Sequence, residues 1–393
     1  MRRARAKLDA VREMLNMKRR WHLVFSAAAL LAFPAQAWAN AGTPLMWAGM
    51  LHLVVGNALI GLLEGALLGW LFGAPRGRAM STMILANYIS AWLGGLMIRG
   101  AIVDRLPMDL DNGWMWFWVM VAVTYGITLA LEWPFVAWCF REAGDWLGRS
   151  LRSSIVVQGI SYILLFGWYW AASGTSLYTQ MDIVPASELD LPESVGVYYI
   201  RPADGSVCRR ELAGGIEQKV FDLQSADGDD RLFVRRNSAD TNRWDLMARR
   251  ETDDRRQPEL IEVRTNLAGQ AAADLRMTEN GPPGTWFSMG EAPRIGSAIH
   301  SPWEFRAGFW PVEGLRGHQK ATGERVHFSY ETPFGAWTVR NAVHLPSDIV
   351  LFQLGENQIC GFDPGARRVA LLWHGRGPVA VIEEGLDGRR VER

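Results

Sequence analysis

The chain has 393 residues, 49% of them hydrophobic, and its 41 Lys+Arg balance its 41 Asp+Glu. Its dense basic cluster is confined to the first 20 residues, so nothing suggests a nucleic-acid partner. The average conceals two halves. Residues 1–181 hold 15 Lys+Arg, 9 Asp+Glu and 13 of the 19 Trp, whereas residues 182–393 hold 26 Lys+Arg against 32 Asp+Glu. The tryptophan-rich, charge-poor half reads as membrane. The charged, Gly- and Pro-punctuated half reads as a folded domain with a core of its own.

The first element is a targeting segment. Lys18-Arg19-Arg20 precedes an apolar stretch from Leu23 to Phe33, and Ala37-Trp38-Ala39 supplies small residues at an exit site. That pattern predicts a secretory signal peptide over residues 1–39, with Met17 as the expected start, or alternatively an uncleaved signal anchor. Either version places Asn40 outside the cytoplasm.

Four apolar segments follow, within residues 40–173: Pro44–Phe72, Ala79–Ile98, Trp114–Phe140 and Ser154–Ala172. Each approaches or exceeds the roughly 20 residues that span a bilayer. Trp114, Trp116 and Trp118 open the third, and Trp168, Tyr169 and Trp170 end the fourth, as interfacial aromatics do. With Asn40 outside, Arg76, Arg78, Arg141, Arg149 and Arg152 fall in cytoplasmic connections. The outer connection carries only Arg99 and Arg105 among Asp104, Asp109 and Asp111, as the positive-inside bias requires. An even number of crossings returns the C-terminal half to the outside. The expected location is therefore the cytoplasmic (inner) membrane of a bacterial-type cell, multi-pass, with an extracytoplasmic C-terminal domain.

Polar residues interrupt the spans at one depth. Glu64, Asn87, Glu132 and Tyr162 each lie eight residues from a predicted cytoplasmic end, or roughly 12 Å in at 1.5 Å per residue. Asn57 shares a helical face with Glu64, and Gly61, Gly65 and Gly69 form a small-xxx-small run for close helix approach. A carboxylate in hydrocarbon normally faces the bundle interior or a water-filled cavity. Glu64 and Glu132 therefore either share a proton or hold a cation, or serve as hydrogen-bonded glue between helices. His52, on another face, reads as a packed or interfacial histidine.

A linker over 174–194 leads to a domain at 195–393 with period-two runs. Strands are expected at Val195–Ile200, Val220–Leu223, Leu232–Val234, Leu260–Val263, Trp286–Ser288, Val326–Tyr330, Trp337–Val339, Ile349–Leu354, Val369–Trp373 and Val379–Ile382. The segments beginning at Tyr198 and Ile359 both read strand, Asp-Gly turn, strand, Gly turn, strand. That order resembles a blade of a β-propeller, with a β-sandwich as the rival. The fold class is thus an α+β membrane protein: a four-helix transmembrane bundle followed by an all-β extracytoplasmic domain, propeller-like or sandwich. Cys208 and Cys360, one in each repeat, are candidates for a disulfide in an oxidising compartment.

No catalytic, cofactor-binding or metal motif is present. His300, His318, His327, His344 and His374 stand in no zinc spacing, and Ser288 lacks the first glycine of a nucleophile elbow. Trp303, Phe305, Arg306, Phe309 and Trp310 concentrate aromatics in a loop-like region from Gly290 to Gly323, and form a candidate partner surface. The expected function is recognition, sensing or scaffolding by the β-domain, without a cofactor. Its expected partners are the lipid bilayer and a protein in the membrane or periplasm. The alternatives are transport or proton/cation coupling at Glu64 and Glu132, and a hydrolase in the β-domain.

Overall fold

The computed structural model describes residues 44–101, 106–173, 179–252, 258–271, 290–308 and 314–382, with side chains left out at 95–101. The signal segment, the strand at Trp286–Ser288, and the partner-surface residues Phe309 and Trp310 lie outside the described residues. The fold is α+β, with apolar helices first and a C-terminal all-β region. Two compact units are present: residues up to Ile98 with Thr124–Leu177, and Arg99–Val123 with Tyr178 onward.

In the first unit, helix α1 comprises Pro44–Leu51 and Asn57–Leu71, joined by a π-helical turn at His52–Gly56. Helices α2 (Arg76–Ala101), α3 (Gly113–Phe140) and α4 (Trp146–Ser173) follow, the end of α2 from Arg99 and the start of α3 up to Val123 falling in the second unit. Among the described residues three helices are long and apolar enough to cross a membrane: Leu45–Leu71, Gly113–Phe140 and Trp146–Ser173. The fourth expected span, α2, has the length. Its described residues are more polar, because Arg76, Arg78, Ser81, Thr82, Asn87 and Ser90 dilute the apolar run.

The helix ends are tied in two sets. Arg78, at the start of α2, bridges Glu142 beyond α3 at 3.0 Å, and the Arg149 guanidinium stands over the Phe140 ring. At the opposite end His52 Nδ1 pairs with the Tyr169 hydroxyl at 2.8 Å, and Trp168 Nε1 donates to Ala48 O. Polarity in this unit is inside-out. Val54, Trp70 and Ile163 are exposed, while Glu64, Asn87, Glu132 and Gln158 are buried. An apolar solvent would demand that arrangement, since it can satisfy no polar group.

Among the described residues the second unit holds four open sheets and a hairpin, and none of these closes into a barrel. The first sheet runs Val339–His344, Val350–Leu354, Gln358–Asp363, Arg368–His374, with Asp182–Ile183 added parallel at its edge. The second orders Gln218–Phe221, Val207–Glu211, Val195–Ile200, Arg376–Ile382 and Gln270–Ala271. The third is Arg231–Arg236, Trp244–Arg250, Glu259–Leu267, and the fourth is Arg325–Phe328, Leu315–Gln319, Trp303–Ala307, Gly290–Glu291.

Three cores stack these sheets in the order third, second, first, fourth. Tyr198 and Val381 pack against Leu246 and Val234; Val197 and Tyr199 against Leu351 and Ile359; Phe352 and Phe362 against Phe305 and Phe328. The two middle sheets therefore bury both faces, and Val195–Ile200 is buried along its whole length. A two-layer sandwich would bury only one face of each sheet.

Several expectations change. The repeats beginning at Tyr198 and Ile359 are not equivalent, because the last strand of the second, Arg376–Ile382, leaves its neighbours and pairs with Val195–Ile200. The Cys208–Cys360 disulfide is absent, and both thiols are free. Cys208 lies in the core between the first and second sheets, whereas Cys360 faces the other way, into the core shared with the fourth.

The described residues between Gly290 and Gly323 are mostly strand rather than loop. Trp303, Phe305 and Ala307 alternate inward on a strand, so these aromatics are core residues and only Arg306 of the described group is exposed. The expected linker supplies an edge strand and the buried Leu189.

The connection before α3 belongs to this unit as well. Leu110 is fully buried in the core of the first and fourth sheets, and its amide donates to Gln358 Oε1 at 2.7 Å. Asp109 and Asn112 exchange amide-to-side-chain bonds at 2.9 Å, which hold the turn in shape. Leu110→Ala is expected to cost about 2–5 kcal/mol, as for other buried leucines. Thermal unfolding followed by tryptophan fluorescence would show it, and an unchanged midpoint would mean that the connection is not part of this core.

His344 adds a pH dependence. Burial holds its imidazole below the usual 6.5, against the opposing pull of Asp348, whose Oδ1 lies 3.0 Å from Nε2. The unfolded chain then takes up a proton that the folded chain refuses. Stability is expected to fall as pH drops through about 6.5. Thermal midpoints measured on either side of that pH should converge in His344→Gln.

Candidate functional site

The site begins with glycine. A Cβ on Gly61 would stand 2.5 Å from Ile84 Cα, and one on Gly65 would stand 2.4 Å from Met80 Cα. A Cβ on Gly69 would meet the flexible Arg76 side chain at 2.7 Å. Helices α1 and α2 thus run antiparallel in backbone contact, an approach that only residues without a side chain permit.

This approach sets Asn87 beside Glu64, and Asn87 Nδ2 donates to Glu64 Oε2 at 2.6 Å while also reaching Met83 O. On α3, Glu132 accepts from Ser90 Oγ of α2 at 2.5 Å and from Gln158 Nε2 of α4. Ser161 adds a bond to Gln158 O. Glu64 Oε1 is buried without a hydrogen bond of ordinary geometry, although Ser161 and Gln158 lie beside it. All four helices therefore contribute to one buried polar layer holding two mutually repelling carboxylates. Among the described residues neither acid has an ion-pair partner.

Of the residues singled out from sequence, Glu64, Asn87 and Glu132 come together. Tyr162 does not join them: its hydroxyl pairs with Thr128 Oγ1 at 2.9 Å. Asn57 is buried but bonds back to Leu53 O on its own helix. Sequence reasoning missed Ser90, Gln158 and Ser161. For the two on α4 the signal was spacing, since Ser154, Gln158 and Ser161 recur at i, i+4 and i+7 on one helical face.

Among its described residues the β unit offers no comparable cluster. His300, His318 and His374 are exposed, His327 is half-buried and His344 is buried. Among the described residues no group of three His, Cys, Asp or Glu side chains converges to hold a metal. Comparison with protein-family models, curated proteins and solved structures found no match.

Gly65→Ala is expected to force α1 and α2 apart, because the obstructing atoms are backbone, at about 1–3 kcal/mol of overpacking strain. Denaturation of the full chain in mixed micelles would measure the loss, and Gly49→Ala, with open space around it, is the neutral control. Gln158→Met should leave Glu132 short of a buried donor at a cost of about 1–3 kcal/mol, read in the same assay.

Proposed function

We propose that this is a multi-pass membrane protein whose four helices cross the bilayer and present the β unit outside the cytoplasm for recognition, sensing or scaffolding. The observation that carries this reading is the burial of Leu110. The connection between α2 and α3 forms part of the core of the β unit, so both belong on one side of the membrane. Pairing of Arg78 with Glu142 supports a common inner side for the arginine-bearing connections. The backbone contact of α1 with α2 supports a crossing by α2 too, despite its more polar composition.

A propeller-like reading of the stacked sheets rests on the pairing of Arg376–Ile382 with Val195–Ile200, which joins the two ends of the β region. The recognition role draws on the edge strand Glu259–Leu267, nine residues long and mostly exposed, with one neighbouring strand among the described residues. An open edge is a template for an added strand. A reporter enzyme active only outside the cytoplasm, fused after Ile382, should work, and a reporter active only inside should not. The reverse pattern removes the reading. A photo-crosslinker at Leu260 should give a defined adduct in intact cells; none at Leu260 or Glu262 rules out this edge as the recognition surface.

A second reading, proton or cation coupling, is favoured by one observation: Glu64 and Glu132 share a buried layer with neutral donors only.

A further inference from the structure

The buried face of α4 is built almost wholly from polar residues. Ser150, Ser153, Ser154, Val157, Gln158 and Ser161 are its buried positions, and only Val157 is apolar. They run from the first turns of the helix to the carboxylate layer, roughly 16 Å for the eleven steps of 1.5 Å from Ser150 to Ser161. Most have partners. Ser150 accepts from Trp133 Nε1 at 3.2 Å, Ser153 donates to Ser150 O, and Gln158 donates to Glu132. Ser154 is different. It is 1% exposed, its hydroxyl has no hydrogen-bond partner, and it lies one turn before Gln158 on the same face. Beyond Gln158, Glu64 Oε1 is the next buried oxygen without a partner of ordinary geometry.

We infer that Glu64 and Glu132 form a proton-binding pair, and that the polar face of α4 is its route to the solvent at the Trp146 end. The inference rests on the second reading above and deepens it by naming the ion and the path. The ion is a proton because the oxygens are already committed. Three of the four carboxylate oxygens accept from Asn87, Ser90 and Gln158, so one oxygen remains where a metal cation asks for about six. One proton suffices to turn two adjacent negative charges into a single shared one. It arrives on water as hydronium, an O–H bond of hydronium breaks as the carboxyl O–H forms, and release reverses the exchange.

Among the described residues the titratable groups around the pair are few. From α1 and α3 they are the two acids themselves; from α4 it is Tyr162, held by Thr128; from α2 the facing side chains are Asn87 and Ser90, which do not titrate. Unpartnered hydroxyls are costly in an apolar interior, where alanine would pack as well. At Ser154 a hydroxyl serves a traveller rather than a fixed neighbour.

The test is infrared spectroscopy of the full chain in nanodiscs of phosphatidylcholine and phosphatidylglycerol at neutral pH. The expected spectrum contains a protonated-carboxyl band that shifts in D2O and that Glu64→Gln and Glu132→Gln each remove. No such band in the unsubstituted protein, or a band unchanged in both variants, overturns the proton pair itself. The route is tested separately with Ser154→Val and Ser154→Thr, which share a shape and differ by the hydroxyl. Deuterium exchange of the band should be several-fold slower in Ser154→Val than in Ser154→Thr. Equal rates overturn the route and leave the pair standing.

Discussion

The backbone contact between α1 and α2 at Gly61 and Gly65 is the constraint from which the helical unit follows. At a Cβ-to-backbone distance near 2.5 Å there is no room for any side chain, so the helices meet at the closest separation that backbones allow. That separation puts the Asn87 amide within 2.6 Å of Glu64, and Asn87 is the donor that lets a carboxylate sit in an apolar bundle. Widening the contact would take the Asn87 donor away from the buried Glu64 Oε2, a loss that an apolar interior penalises heavily. Packing and polar satisfaction are here one requirement, and glycine meets it at two successive turns.

The β unit obeys a different constraint. Its sheets stack face upon face, so the strands of the two middle sheets must be apolar on both sides. Tyr198 and Tyr199 are adjacent in sequence and are buried in different cores. The same rule separates the cysteines. Ile359 and Cys360 point to opposite faces of one strand, and Cys208 packs on the Ile359 side. Two cysteines in matching positions of two sequence repeats therefore never meet, because the second repeat sends its last strand into another sheet.

How much was legible follows from where each signal is stored. Acids and asparagine inside apolar runs announce themselves, so Glu64, Asn87 and Glu132 were visible in composition alone. Ser90, Ser154 and Ser161 were not, since serine is nearly neutral in hydropathy and common at both surfaces and helix contacts. Trp303 and Phe305 misled because Pro302 and Gly308 bracket a five-residue strand, and such punctuation reads as loop. Leu110 was invisible for a deeper reason. It stands among Asp109, Asp111 and Asn112, where any local reading expects solvent, and its burial depends on strands more than two hundred residues away. Local pattern reports periodicity; it cannot report which distant surface will cover one leucine.

The serines of α4 admit a simpler account, in which small residues merely let helices approach. That account predicts glycine and alanine as freely as serine, and it expects each hydroxyl to bond back to its own helix, as Ser150, Ser153 and Ser161 do. It gives no reason for Ser154, whose hydroxyl is buried and bonds to nothing. Nor does it explain why the polar face runs toward the two acids instead of being scattered around the helix. A buried hydroxyl with no static partner is tolerable when its partner is transient, and the group nearest along the helix, Gln158, already holds one of the two carboxylates. The geometry thus separates the serines by role: three close the helix upon itself, and one faces the acids' side of the bundle with its bonding capacity unspent.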